Sequence, residues 1–148
     1  VFLYEYTLKS FLYVLEPGLP KGIEIKGLIR NIDIMPTLLE ILGIKEKEGF
    51  TRSQGNSFIN LIKGSKEERV AYSETGGLGG PNPSPEKHNL RAVRTNKWKL
   101  IYNETTKKRE LYDLENDPEE NQNLAGKNME IESTLWEEMQ TLQKTFKE

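Results

Sequence analysis

Glu110-Leu-Tyr-Asp-Leu-Glu-Asn-Asp-Pro-Glu-Glu-Asn-Gln-Asn123 is the stretch whose reading decides the fold of this chain. Leu111, Tyr112 and Leu114 make a short apolar strand. Asp117-Pro118-Glu119-Glu120 then has the composition of a helix start. The aspartate can cap free backbone donors, proline suits the first helical position, and two glutamates favour the positive end of the helix dipole. The stretch predicts a strand-to-helix corner and, taken alone, carries no chemistry.

Working upstream, Arg91 to Asn103 reads as a hairpin. Ala92 and Arg94 alternate with Arg91, Val93 and Thr95, Asn96-Lys97 supplies a tight turn, and Trp98, Leu100 and Tyr102 share one face. Val70 to Glu74 is a further short strand candidate, and Thr75 to Asn89, rich in Gly and Pro, is an irregular loop. Lys107-Lys108-Arg109 reads as a solvated turn. Downstream, Ile131, Leu135, Met139, Leu142 and Phe146 recur at spacings of three and four, so Asn128 to Lys147 is expected to be an amphipathic helix. The predicted fold class is α+β: a small antiparallel sheet of three to four strands packed by a C-terminal helix.

The first half reads differently. Phe11 to Leu15 is apolar without alternation, as in a strand buried on both faces of a parallel or mixed sheet. Pro17-Gly18-Leu19-Pro20-Lys21-Gly22 breaks the chain. Leu28, Ile32, Met35, Leu39 and Leu42 then form one stripe of a helix, with Asp33 as its expected N-cap and Gly43 as its stop. This strand and helix are expected to belong to an incomplete larger α/β sheet. The expected organisation is residues 1–48 as that remnant, 49–68 as a polar linker, and 69–148 as the α+β subdomain.

With 35% hydrophobic and 30% charged residues, the composition is that of a chain with a wet surface. A net charge of -2 leaves no basic excess for a nucleic-acid backbone. No apolar run approaches the roughly 18 residues that would span a bilayer. Cysteine is absent, which removes disulfides, thiolate metal sites and a cysteine nucleophile. The chain opens on Val1-Phe2-Leu3-Tyr4, neither an initiator Met nor a charged signal region, and we expect these residues to continue something longer.

Arg91-Ala-Val-Arg-Thr-Asn-Lys-Trp-Lys-Leu-Ile-Tyr102, taken with Glu110 to Leu124, resembles the C-terminal end of the sulfatases, in the alkaline-phosphatase-like superfamily of metal-dependent hydrolases. Tyr4-Glu5, Thr7-Leu8-Lys9, Phe11 to Leu15 and Pro17-Gly18 are similar to the family's tyrosine-acidic pair, Thr-Leu-basic step, apolar strand and Pro-Gly. Ser10-Phe11 departs from the Val-Pro or Ile-Pro common there. Asn31 to Ile44 is similar to the sulfatase Asp-x-x-Pro-Thr-Leu-Leu helix, and Gly55-Asn56-Ser57-Phe58 looks like a variant of a Gly-x-Ser-Leu element.

The resemblance implies a parent enzyme that cleaves sulfate esters. Such enzymes use a formylglycine made from a Cys/Ser-x-Pro-x-Arg motif and a calcium-type divalent metal held by several Asp with Asn, Gln or His. Neither can be placed in this chain. Ser84-Pro85-Glu86-Lys87 has the wrong spacing, and of the three Asp, Asp33 and Asp117 read as caps while Asp113 alternates outward. A hard dication wants six or more converging oxygen ligands. No catalytic residue, metal ligand or cofactor is therefore assigned to this chain. The family's Lys before the tyrosine-acidic pair would fall upstream of Val1.

Two groups remain for substrate contact. His88 with Asn89 and Arg91 falls where the family's C-terminal subdomain lines the rim of the cleft, and such side chains suit a sulfate-type anion. Lys9 could face the missing site. Against these stand the plainer readings, a solvated loop histidine and a surface lysine.

The expected function is thus the C-terminal part of a sulfatase-like hydrolase, inactive by itself, whose partner is the missing N-terminal catalytic portion. A phosphonate or phosphodiester hydrolase of the same superfamily, or a non-catalytic binding or assembly module, are the alternatives. Without the larger sheet, the apolar first 45 residues should expose a patch and self-associate.

Overall fold

The computed structural model describes residues 3–45, 54–75 and 90–145. The chain forms two compact units, Val1–Phe11 with Val70–Glu148, and Leu12–Arg69. These differ from the expected boundaries because the first residues cluster with the sheet more than sixty residues on. Nearly all of the expected loop from Thr75 to Asn89, and Phe146, lie outside the described residues.

In the first unit, β1 (Ala71–Thr75), β2 (Leu90–Arg94), β3 (Trp98–Asn103) and β4 (Arg109–Asp113) form an antiparallel meander in the order β1-β2-β3-β4. One row across it pairs Tyr72, Val93, Leu100 and Leu111, and the adjacent row pairs Ser73, Ala92, Ile101 and Glu110. Alternation along each strand sends these rows to opposite faces. Val93, Leu100 and Leu111 are fully buried against Leu135 and Met139 of α4 (Met129–Thr145). The expected α+β arrangement is present. Glu130 and Glu132 in the first turn of α4 and Lys144 in its last complement the dipole. The Trp136 ring meets Tyr102 edge-on at 4.7 Å between centroids, and the Arg109 guanidinium lies 4.1 Å from its centroid. The β2–β3 turn closes through Thr95 and Trp98, with Thr95 N–H donating to the Trp98 carbonyl at 2.9 Å.

The helix expected to start at Asp117 does not form; residues 117–128 are turns, and the helix begins at Met129. Asp117 does accept backbone N–H groups, from Asn121 at 3.0 Å and Gln122 at 2.8 Å, but they close a turn. Glu120 takes a left-handed φ of 57° and is buried, which a continuing helix would forbid. The stretch instead folds back along β4: the Leu111 N–H donates to Asn123 Oδ1 (3.1 Å), and the Leu111 carbonyl accepts the Leu124 N–H (2.8 Å).

In the second unit, a 3₁₀ turn over Asn31–Asp33 leads into α2 (Ile34–Ile41). Gly43, at φ 64°, stops it, and the Ile44 N–H reaches back to the Leu39 carbonyl at 2.9 Å, the left-handed stop the sequence predicts. Phe58, Ile59, Leu61 and Ile62 of the stretch expected as a linker form a buried cluster around the helical turn α3 (Ile59–Ile62), with Leu19, Ile25, Ile29 and Ile41 against it. The one apolar patch in an otherwise polar stretch is a small core.

The strand expected at Phe11 to Leu15 is not formed, since these residues have no ladder partner. Phe11, Tyr13 and Leu15 are 88%, 89% and 91% exposed. An apolar run of this kind becomes a strand only when neighbouring strands satisfy its backbone, and among the described residues no strand pairs with it. Met35 and Leu42, on the predicted helix stripe, are exposed as well.

Truncating Met139 or Leu100 to Ala is expected to lower the stability of the sheet unit by about 2–5 kcal/mol. Tyr13→Ser is expected to change it by less than about 0.5 kcal/mol. Urea unfolding followed by Trp fluorescence checks the contrast.

Candidate functional site

The face of the sheet opposite α4 carries a cluster of buried charge. Lys99, the second residue of β3, is fully buried there. Its Nζ lies 2.8 Å from Glu120 Oε1 and 3.1 Å from Glu5 Oε1. Glu5 belongs to the helical turn α1 (Glu5–Leu8) and also takes the Arg94 Nε–H at 3.0 Å. The Glu5 backbone N–H in turn donates to Glu120 Oε2 at 2.6 Å. Burial alone would raise the Glu5 carboxyl, but Arg94 and Lys99 outweigh it and hold the group below its ordinary value.

Beside this cluster the hydroxyls of Tyr4 (2.8 Å) and Tyr112 (2.7 Å) both donate to Glu110 Oε2. Burial, with the Glu110 carboxylate next to them, pushes both phenols up. Leu3, Ala92, Ile101, Tyr112 and Leu114 complete the face as an apolar cluster. The tyrosine-acidic pair noted in the sequence is thus a clamp on the sheet.

A second polar centre lies in the other unit, on Asp33. Its side chain does not cap α2, contrary to expectation. The fully buried carboxylate faces Arg30 (Oδ1 to the guanidinium, 2.7 Å) and Arg69 (Oδ2, 3.1 Å) and accepts the N–H groups of Asn56 (2.9 Å) and Arg30 (3.1 Å). Arg69 also donates to the carbonyls of Asn56 (3.0 Å) and Ser57 (2.7 Å). Burial works to raise Asp33, while the Arg30 side chain and the two backbone N–H groups outweigh it and hold it below its ordinary value. The Thr37 hydroxyl donates to the Asp33 carbonyl (2.6 Å) and accepts the Phe58 N–H (3.0 Å). Gly55 is required here: a Cβ on it would lie 1.9 Å from the Ile32 carbonyl oxygen.

Of the residues read as substrate contacts, His88 and Asn89 lie outside the described residues. Arg91 is held by Glu104 (2.7 Å) and faces Glu74 at 3.9 Å. Lys9 follows α1 and is exposed. Asp113 accepts the N–H groups of Glu115 (3.1 Å) and Asn116 (3.4 Å) and so closes the turn after β4.

Among the described residues no three His, Cys, Asp or Glu side chains group as metal ligands would. The carboxylates that do converge, Glu5 and Glu120, are already neutralised by a buried ammonium, and Asp33 by two guanidiniums. This donor set does not fit a hard dication, and no step through a metal is derived from it. The two ionic centres were missed in the sequence. The signal for one was legible, since the alternation that puts Trp98, Leu100 and Tyr102 on one face puts Lys99, between Trp98 and the buried Leu100, on the other.

The family model for the N-sulphoglucosamine sulphohydrolase C-terminal region matches residues 1–145. The chain is 29% identical over 148 residues to arylsulfatase K of Bos taurus, covering 95% of this chain and 26% of that protein. It is 29% identical over 122 residues to choline-sulfatase of Rhizobium meliloti (strain 1021), covering 82% and 22%. The chain therefore spans about a quarter of the length of these curated relatives. Among solved structures, it is similar to BT4656 in complex with its substrate D-glucosamine-2-N,6-O-disulfate, with a TM-score of 0.60 and 23% identity over 78% of this chain and 24% of that one. That likeness is one of fold.

Asp33→Ala, which leaves the buried Arg69 and the half-buried Arg30 without their counter-ion, is expected to cost the second unit about 3–5 kcal/mol. Because the folded-state value of Asp33 is depressed, its contribution is fully present above the ordinary value of 3.8. It is lost as pH falls through the depressed one. Chemical denaturation of wild type and variant at neutral and acid pH, where the difference should shrink, measures this.

Proposed function

The chain belongs to the family of the N-sulphoglucosamine sulphohydrolase C-terminal region, and on that premise we propose that it serves as the C-terminal part of a sulfatase-like hydrolase. In this reading the complete protein cleaves sulfuric esters with a calcium-type divalent metal and a formylglycine nucleophile. The observation that carries the reading is the family match along residues 1–145. The names of the relatives, an arylsulfatase and a choline-sulfatase, support sulfuric esters as the substrate class.

The contribution of this chain is then a sheet-and-helix platform beside the reaction centre. His88, Asn89, Arg91 and Lys9 are placed at the substrate rim. There a histidine and cationic side chains would supply charge-assisted hydrogen bonds to the sulfate oxygens. The nucleophile and the metal ligands come from the catalytic portion, which is the partner of this chain. The exposed apolar side chains Tyr13, Leu15, Met35 and Leu42 of the second unit are ones that portion would cover. Alone, the chain self-associates through residues 1–45.

Two measurements test this. Incubated with an arylsulfate and calcium, the chain is expected to release no sulfate above background, and sustained turnover would refute the assignment of the nucleophile to another portion. In light scattering at tens of micromolar, on the order of the concentrations where exposed apolar surface drives association, it is expected to exceed the mass of a monomer. A strictly monomeric species would remove the proposed contact surface.

A further inference from the structure

The segment that begins at Leu3 sits on the sheet in a way that separates it from the core. Its helical turn α1 has four residues, far below the roughly 12–15 at which a helix holds itself together in water. It is therefore formed only while docked. Its one fully buried apolar side chain is Leu3, whereas Tyr6 and Lys9 to Phe11 are exposed.

Apart from the half-buried Tyr4 ring, which packs on the apolar cluster and meets Tyr112 edge-on at 6.2 Å between centroids, the remaining attachment is polar and depends on three carboxylates. Glu5 meets Arg94 and Lys99. Glu120 meets Lys99 and takes the Glu5 N–H. Glu110 takes the Tyr4 hydroxyl. Each of these bonds needs an ionised acceptor, or is weakened when the acceptor is protonated. The opposite face of the same sheet is held by Val93, Leu100, Leu111, Leu135 and Met139, which do not titrate.

We infer that the segment from Leu3 to Leu8 is an electrostatic latch, released from the sheet by protonation of Glu5 while the sheet and α4 stay folded. The titratable and charged groups that face it can be named element by element. They are Tyr4 and Glu5 on the segment itself, Arg94 on β2, Lys99 on β3, Glu110 and Tyr112 on β4, and Glu120 in the turn that follows. Helix α4 packs on the other face and supplies none of them.

The sign follows from the pairing. Glu5 lies below its ordinary value of 4.5 in the docked state. Its hold is complete above that value and fails as pH falls through the depressed one. Loss of the Glu5 charge leaves Lys99 to Glu120 alone and takes the ion-pair partner from Arg94. Neutralising Glu5 leaves the buried ammonium of Lys99 with one counter-charge in place of two, a loss relieved if the segment lifts and water enters. The inference does not depend on the sulfatase reading, since it concerns this segment and this sheet whatever reaction they serve.

Hydrogen exchange read by mass spectrometry on the full chain tests it, with rates corrected for the intrinsic pH dependence of exchange. The informative amides are those of Glu5, Thr7, Leu8 and Lys9, which donate to Glu120 Oε2, the Tyr4 carbonyl and the Glu5 carbonyl in the docked state. Between about pH 7 and about pH 3 their protection is expected to fall at least about tenfold, while peptides covering β3 and α4 keep theirs. Glu5→Gln is expected to produce that loss at neutral pH. Glu132→Gln, which removes the partner of Arg109 on the opposite face, is expected to leave it unchanged. The latch is overturned if the segment and β3 lose protection together, in acid or in Glu5→Gln. It is equally overturned if Glu5→Gln protects the segment as well as wild type.

Discussion

An ammonium group buried in the middle strand of a sheet dictates much of what surrounds it. Lys99 is fully enclosed, and an unpaired cation there would cost several kcal/mol after relaxation. Two carboxylates are therefore brought to it from distant parts of the chain, Glu5 ahead of it and Glu120 after it. Meeting that demand draws Glu120 into a left-handed turn where the local sequence favours a helix. It also ties the first residues to a sheet that starts at Ala71. One electrostatic requirement thus accounts for the path of two segments that hydrophobic burial alone would leave free.

The second unit solves a related problem with the charges reversed. Asp33 is the enclosed group, and Arg30, Arg69 and the backbone of Asn56 converge on it. Here the requirement also fixes backbone spacing. The loop that delivers Asn56 passes so close to Ile32 that only glycine fits at position 55. A short apolar cluster around Phe58 is small for a core, and the buried ion pair with its hydrogen bonds gives the packing a defined geometry.

What could be read from the sequence follows the range of the forces involved. The hairpin, its turn at Asn96-Lys97, the final helix and the glycine stop of α2 rest on period-two or period-3.6 patterns and on local backbone preferences. All of these act within a few residues. The helix start at Asp117 had every local signal and still failed, because Glu120 has a partner that lies twenty-one residues away in sequence. Asp33 was expected as a cap for the same reason: its position before Ile34 is visible in the sequence, while Arg69, thirty-six residues on, is not. The apolar run from Phe11 to Leu15 had the composition of a strand, but a strand requires neighbours that composition does not specify. Of the candidate rim residues, Arg91 was legible as a cation, and its engagement by Glu104 across the hairpin was not.

The fold-back of Asn123 and Leu124 onto Leu111 closes one border of the meander. With the amide and the carbonyl of Leu111 both engaged, the outer side of β4 offers no free template at its centre for an incoming strand. Edge-to-edge polymerisation of this sheet is therefore one-sided. Any fifth strand has to be added beyond β1, and a fibre built by repeated strand addition would stall wherever two β4 borders met.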